Sequence, residues 1–247
     1  QAQGRYAVTN AQDYWNIRNN LDGNRTEAEI RGMMNCDKWY RWHTVVEAIR
    51  DYDFWPDCDK NMAWYFEPVA GSTNGILWFL PYDYDDTWGP FWNEGKDEGW
   101  DAIYSGSIKT NLAQEYRNFI REYRDLVWRT NVINVMIDDL ASMITNFVPA
   151  DRDRWFNAPA DAGYQDFGTL EAKVQDMKNF AFGGGGRAQV LDGLADGGGD
   201  STSIPGTPTI TNTCPTNYYV NNLTFQCSSF DDPQGTNTFG AIEWRAG

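Results

Sequence analysis

The stretch Lys60-Asn61-Met62-Ala63-Trp64-Tyr65-Phe66, the turn Gly71-Ser72-Thr73-Asn74-Gly75, the run Ile76-Leu77-Trp78-Phe79-Leu80 and the segment Tyr82-Asp83-Tyr84-Asp85-Asp86-Thr87-Trp88-Gly89 read together as one β-hairpin with polar chemistry at its open end. The aromatic and aliphatic runs have strand composition, and Gly, Ser and Asn between them supply turn chemistry. Antiparallel pairing brings the loop before the first strand and the loop after the second to the same end. Asn61 and Asp83 then become neighbours across the hairpin. An amide oxygen with one or two carboxylates is a hard, oxygen-only ligand set, suited to Mg²⁺, with Ca²⁺ or Mn²⁺ as alternatives. The preceding loop, Asp51-Tyr52-Asp53-Phe54-Trp55-Pro56-Asp57-Cys58-Asp59, adds carboxylates that could take a proton from a hydroxyl. It lacks the central Gly and terminal Glu of a helix-loop-helix calcium site, so it stands otherwise as a structural-metal candidate or a solvated turn.

Outward from the hairpin the chain reads as helices. Thr26-Glu27-Ala28-Glu29 is a capping box, with Ile30, Met33 and Met34 following, which predicts a helix over 26–34. Asp37 is expected to cap a second helix, in which Trp42, Val45, Val46 and Ile49 form the buried stripe and His43 lies off it. Leu112, Tyr116, Phe119, Ile120, Tyr123 and Leu126 mark a third. Val132, Val135, Met136, Leu140, Met143, Ile144 and Phe147 mark a fourth, and Leu170, Val174 and Met177 a shorter one. The expected class is α+β, mainly α.

Near residue 183 the composition changes. Gly183–Gly186, Gly197–Gly199, Pro205 and Pro208 predict a linker over 183–208. Beyond it, 209–247 reads as a short β segment with strands near Thr209, over 218–225 and over 239–244. About 40 residues cannot close a sandwich of roughly 100, so this segment is either the start of an immunoglobulin-like module or packs on the main domain.

The balance of 20 Lys+Arg against 35 Asp+Glu gives a net charge of −15. Basic residues never cluster, which argues against nucleic acid and an anionic membrane as partners. No run of apolar residues is long enough to span a bilayer. His43 has no second His or Cys at metal spacing, and no Gly-x-Ser-x-Gly elbow supports a Ser-His-Asp hydrolase. Trp88, Trp92 and Trp100 are the exposed candidates for sugar stacking or a substrate-facing lid.

The four cysteines fall into two local pairs, Cys36 with Cys58 and Cys214 with Cys227, and local bridges are the expected connectivity. Asn24-Arg25-Thr26 and Asn222-Leu223-Thr224 match the glycosylation sequon. Together these predict an extracellular or cell-surface protein.

The order of helix, Asp-bearing loop, Lys60-Asn61, aromatic strand, Gly turn, aliphatic strand and Tyr82-Asp83-Tyr84-Asp85-Asp86-Thr87-Trp88-Gly89 resembles the spore coat protein H (CotH) kinase family over roughly 26–180. The resemblance implies an atypical protein-kinase-like C-lobe over 26–182 that uses ATP and Mg²⁺ to phosphorylate a protein hydroxyl. It implies that Asp83 binds the metal bridging the ATP phosphates, that Asp85 assists, that Asn61 is the metal-binding Asn of the catalytic loop, and that an Asp before it is the base. Asp53 is the expected base, with Asp57 and Asp59 as alternatives. Residues 1–25 read as a remnant, so the family's β-rich N-lobe would have to come from an upstream segment or another chain. The other reading is a non-catalytic surface or assembly scaffold built on the same lobe.

Overall fold

The capping box at Thr26 forms as the sequence predicts. Thr26 is extended (φ −66°, ψ 155°), its hydroxyl accepts from the Glu29 N–H, and the Glu29 carboxylate accepts from the Thr26 N–H at 2.8 Å. In the computed structural model, which describes residues 12–21, 25–51, 62–69, 75–84, 87–89, 106, 108, 111–155, 168–196, 204–217, 223–233 and 235, this box starts the second of the eight α-helices found among the described residues. The order is α1 (Gln12–Leu21), α2 (Glu27–Arg31), α3 (Cys36–Ile49), β1 (Met62–Glu67), β2 (Ile76–Pro81), α4 (Ala113–Leu126), α5 (Thr130–Ile144), α6 (Val148–Trp155), α7 (Leu170–Phe182), α8 (Arg187–Asp196), β3 (Ile210–Asn212) and β4 (Phe225–Cys227). The chain is α+β and mostly helical, and it divides into two units, Gln1–Ala195 and Asp196–Gly247.

Helix α3 is the centre of the first unit. Its N-cap is Asn35, not the expected Asp37: the Asn35 side-chain oxygen accepts from the Lys38 N–H at 3.0 Å, and Asp37 sits one residue inside the helix, where its charge favours the N-terminal dipole. Burial extends around most of the helix. Trp39, Tyr40, Trp42, Val46 and Ala48 are buried, and so are the polar His43, Thr44 and Glu47, while Val45 and Ile49 are only half-buried. His43 is therefore a core residue, stacked on Trp39 (centroids 4.4 Å apart) and 2.5 Å through Nδ1 from the Tyr116 hydroxyl of α4.

The expected hairpin is present. β1 and β2 pair antiparallel from Met62↔Pro81 to Glu67↔Ile76. Gly75 closes the turn at φ +72°, and a Cβ there would collide with the Glu67 carbonyl, so the position requires glycine. β2 lies on α3, with Phe79 stacked on Trp42 at 5.0 Å, and Leu77 is bonded at both backbone groups to Met33 and Asn35 at 2.9 Å.

Three expectations change in this unit. The linker predicted over 183–208 contains α8, whose Leu191 and Ala195 are fully buried; Gly183 and Gly186 turn too tightly against the end of α7 for any Cβ, and so connect α7 to α8 rather than loosen the chain. Likewise α1 lies within the expected N-terminal remnant and buries Ile17 and Leu21. In α5 the buried residues are Ile133 and Ile137, whereas all seven residues of the predicted stripe are exposed.

In the second unit β3 and β4 pair antiparallel over three residues, Ile210↔Cys227 to Asn212↔Phe225. This register overturns the expected Cys214–Cys227 disulfide. Cys227 faces Ile210, four residues before Cys214 on the opposite strand, and at about 3.3 Å per residue that offset exceeds the reach of a bridge; both are reduced thiols. Cys36 is also a reduced, buried thiol, and Cys58 lies outside the described residues. Of the strand expected over 218–225, residues 218–222 lie outside the described residues and only Phe225, the first residue of β4, is in a strand; the strand expected over 239–244 lies outside the described residues.

Candidate functional site

The site is assembled where α3 ends and the hairpin opens. Arg50 terminates α3 in the left-handed region (φ 54°, ψ 74°), its N–H bonded to the Val46 carbonyl, and Asp51 follows with its side chain completely buried. The hairpin register ends at Met62↔Pro81, so the chain enters β1 beside the point at which it leaves β2 for Tyr82 and Asp83. The entry to the first strand and the exit from the second thus share one end of the hairpin.

Asp83 has φ 57° and an exposed side chain. Its neighbour Tyr84 turns inward. Burial pushes the Tyr84 phenol up to about 12, with Trp42 lowering it and the charge of Asp51 raising it further. The loop is then closed by two bonds: the Thr87 hydroxyl donates to the Tyr84 carbonyl at 3.0 Å, and the Trp88 N–H donates to the Ile49 carbonyl at 2.9 Å. Trp88 has φ 65°. Its ring stacks on Trp128 at 5.5 Å and 25° and packs against Phe180 at 6.0 Å.

Three of the four non-glycine residues with positive φ among the described residues, Arg50, Asp83 and Trp88, belong to this one junction. Each costs of order 1 kcal/mol and persists only where surrounding packing over-determines it. The alternation follows from the sequence: in Tyr82-Asp83-Tyr84 the aspartate faces solvent while the second tyrosine fills the space over Trp42.

A second polar contact fixes the helix that carries the site. Arg187 at the start of α8 donates from Nε to the Glu47 carbonyl at 2.9 Å and pairs with the Glu47 carboxylate at 3.3 Å, both side chains being buried. A further bond runs from its terminal nitrogen to the same carbonyl. Reading 183–187 as linker conceals this contact; the available signal was a buried-face Glu in α3 that needs a cation.

Of the residues put forward from the sequence, Asp83 is placed at the mouth of the hairpin. Asp53, Asp57, Asp59, Asn61, Asp85, Cys58, Asn24, Asn222, Trp92 and Trp100 lie outside the described residues. One face of the Trp88 ring is taken by Trp128. Among the described residues no three His, Cys, Asp or Glu converge, and no helix is long and apolar enough to cross a membrane. Asp51, one of the carboxylates that the sequence puts before β1, is buried, and Tyr84 is the residue of this junction to which the sequence assigns no role.

Comparison with known proteins gives one match. No curated protein and no solved structure matches the chain. The profile of the family described as CotH kinase protein matches residues 1–182, which takes in α1, the hairpin, the Tyr82–Gly89 segment and the whole of α7. That is well over half of the chain, which therefore belongs to the CotH kinase family.

Proposed function

We propose that this kinase-family chain transfers the γ-phosphoryl group of ATP to a protein hydroxyl, with Asp83, Asp85 and Asn61 as the metal-binding and nucleotide-facing residues and Asp53 as the base, Asp57 and Asp59 being the alternatives. The observation that carries the reading is the hairpin register, which ends at Met62↔Pro81 and so sets the entry to β1 beside the exit from β2 toward Asp83, in a member of a kinase family. The exposed carboxylate of Asp83 is a hard oxygen donor and suits Mg²⁺. When bound, the ion would supply charge neutralisation between the β- and γ-phosphates. The residues of the chain position the groups: the acceptor oxygen forms its bond to phosphorus as the bond to the β–γ bridging oxygen breaks, and the hydroxyl proton passes to the aspartate base. We also assign the protein, on its sequons at Asn24 and Asn222, to the cell surface or exterior.

The test is titration of Mg²⁺-ATP into the chain and into Asp83→Asn. Asn tolerates the left-handed backbone that Asp83 adopts, so the substitution removes charge without straining the loop. Binding lost in the variant supports the assignment. Equal binding by both overturns it. Binding by neither, with the chain folded, removes catalysis by this chain alone and favours the second reading, a non-catalytic assembly scaffold, which the exposed apolar face of α5 supports independently.

A further inference from the structure

The last turn of α3 is held from two sides. A helix leaves its final carbonyls without partners along its own axis, and each needs a donor from elsewhere. Val46 accepts from the N–H groups of Arg50 and Asp51, within the turn itself. Ile49 accepts from the Trp88 N–H at 2.9 Å, at the close of the Asp83 loop. Glu47 accepts from Arg187 of α8, through Nε at 2.9 Å and through a terminal nitrogen as well. One turn therefore carries the chain to Asp51, receives the site loop and receives α8.

The position of Arg187 is informative. It is the first residue of α8, where a cation opposes that helix's own dipole; at the C-terminus of α3 the same charge is favoured. A guanidinium with two donors on one carbonyl is a side-chain cap, here brought from 140 residues away. Arg187 and Glu47 are each more than nine-tenths buried, so water is poorly placed to replace the donors. Helix α8 is fixed in turn: Leu191 and Ala195 are buried, Arg121 of α4 donates to the Ala195 carbonyl, and Arg124 pairs with Asp192 at 3.2 Å. All of α8 lies beyond residues 1–182, which match the family.

We propose that Arg187 is a positioning residue for the Asp83 loop: by capping α3 it fixes the turn on which that loop closes, and so couples α8 to the site. Loss of the guanidinium leaves the Glu47 carbonyl buried without these donors, a cost that the last turn of α3 relieves by fraying. Fraying displaces the Ile49 carbonyl, breaks its bond to the Trp88 N–H and loosens the loop that carries Asp83. The ion pair with the Glu47 carboxylate is a separate contribution: it stabilises the fold, whereas the cap places the loop. The effect on nucleotide rests on the assignment of Asp83 proposed above; the effect on the backbone does not.

Amide hydrogen exchange of the full chain, read residue by residue without nucleotide, tests it. The comparison sets Trp88 and Asp51, whose N–H groups bond at this turn, against Ile133 and Ile137 on the buried face of α5. The discriminating variant is Arg187→Met with Glu47→Leu, which removes the cap together with the carboxylate that would otherwise be stranded. In it, exchange at Trp88 and Asp51 relative to Ile133 and Ile137 should rise about tenfold or more. Glu47→Gln keeps the carbonyl and removes only the charge, and should leave that ratio as in wild type. An unchanged ratio in the double variant overturns the proposal, and so does an equal rise in Glu47→Gln, which would assign the effect to the ion pair. Mg²⁺-ATP affinity, measured on the same proteins, should fall about tenfold in the double variant and hold in Glu47→Gln. Unaltered affinity in the double variant, where wild type does bind, also overturns the proposal. A wild-type chain that binds no Mg²⁺-ATP overturns the assignment of Asp83, and the amide ratio then decides the role of Arg187.

Discussion

The backbone N–H of Trp88 donates to the carbonyl of Ile49 at 2.9 Å, joining the end of the Asp83 loop to the last turn of α3. This bond spans the junction at which Arg50 leaves the helix and the buried Asp51 follows it. Residues 49–51 are thereby tied to 82–84 and 87–88, so a change in the packing of Trp88 should be felt at Asp83 although the two side chains point to different surroundings.

Trp88→Ala keeps the backbone bond but removes the ring from Trp128 and Phe180. With the ring only partly buried, the expected cost is about 2–3 kcal/mol, less than for a core tryptophan. Urea unfolding measures that loss. Trp88→Phe should recover at least half of it, because an aromatic face remains for Trp128. If the Asp83 loop is the nucleotide site, Mg²⁺-ATP affinity should follow the same order, wild type, Phe, Ala.

Removing one member of the Glu47–Arg187 pair should be more damaging than removing both. Arg187→Met leaves the Glu47 carboxylate buried without that cation, and the expected cost is about 3–5 kcal/mol. Adding Glu47→Leu deletes the stranded charge and should restore much of the stability, giving a strong coupling energy in a double-mutant cycle by urea unfolding. Additive losses would show that α8 is held by the burial of Leu191 and Ala195 and not by this pair.

These two contacts also show what could and could not be read from the sequence. The hairpin, its turn glycine and the Thr26 capping box rest on local rules, two-residue alternation, φ > 0 at Gly75 and a three-residue spacing, and each formed as expected. The family was legible in the Lys60-Asn61 and Tyr82–Gly89 segments for the same reason. Helix α3 was misjudged because its apolar stripe marks only one of several buried faces: His43 and Glu47 are accepted into the core by Tyr116 and Arg187, 73 and 140 residues away. Helix α5 was misjudged in the opposite sense, since periodicity reports that a face is apolar but not whether this chain covers it. The Cys214–Cys227 pairing failed on register, which spacing along the chain does not specify.

The Thr26 capping box should confer a definite pH dependence. Hydrogen bonds from the Thr26 backbone and side chain hold the Glu29 carboxyl below its ordinary value of 4.5. A carboxyl lowered on folding stabilises the native state above its unfolded value, and that contribution disappears as pH falls through the lower, folded value. Thr26→Ala should therefore lower the melting temperature at neutral pH by the equivalent of about 1 kcal/mol of capping. The difference between variant and wild type should shrink at pH below 4.5. A gap that stays constant into acid would mean that the hydroxyl cap alone is felt.

The thiols should differ sharply in reactivity. Burial is the main force pushing Cys36 up to about 11, nearby acids adding to it and Arg31 opposing it, and since the thiolate is the nucleophile the buried thiol should be inert in the native state. Cys214 and Cys227 are partly exposed at the edge of the β3–β4 pair. Alkylation at mildly alkaline pH, mapped by mass spectrometry after digestion, should label Cys214 and Cys227 early and Cys36 only at the rate of unfolding. Denaturant well below the unfolding midpoint should leave Cys36 protected, because its sulfur sits at the base of α3 beside the Met34 carbonyl, inside the most deeply packed part of the first unit. Early labelling of Cys36 would show that α2 and the start of α3 open independently of the core, and would place the weakest point of the first unit there.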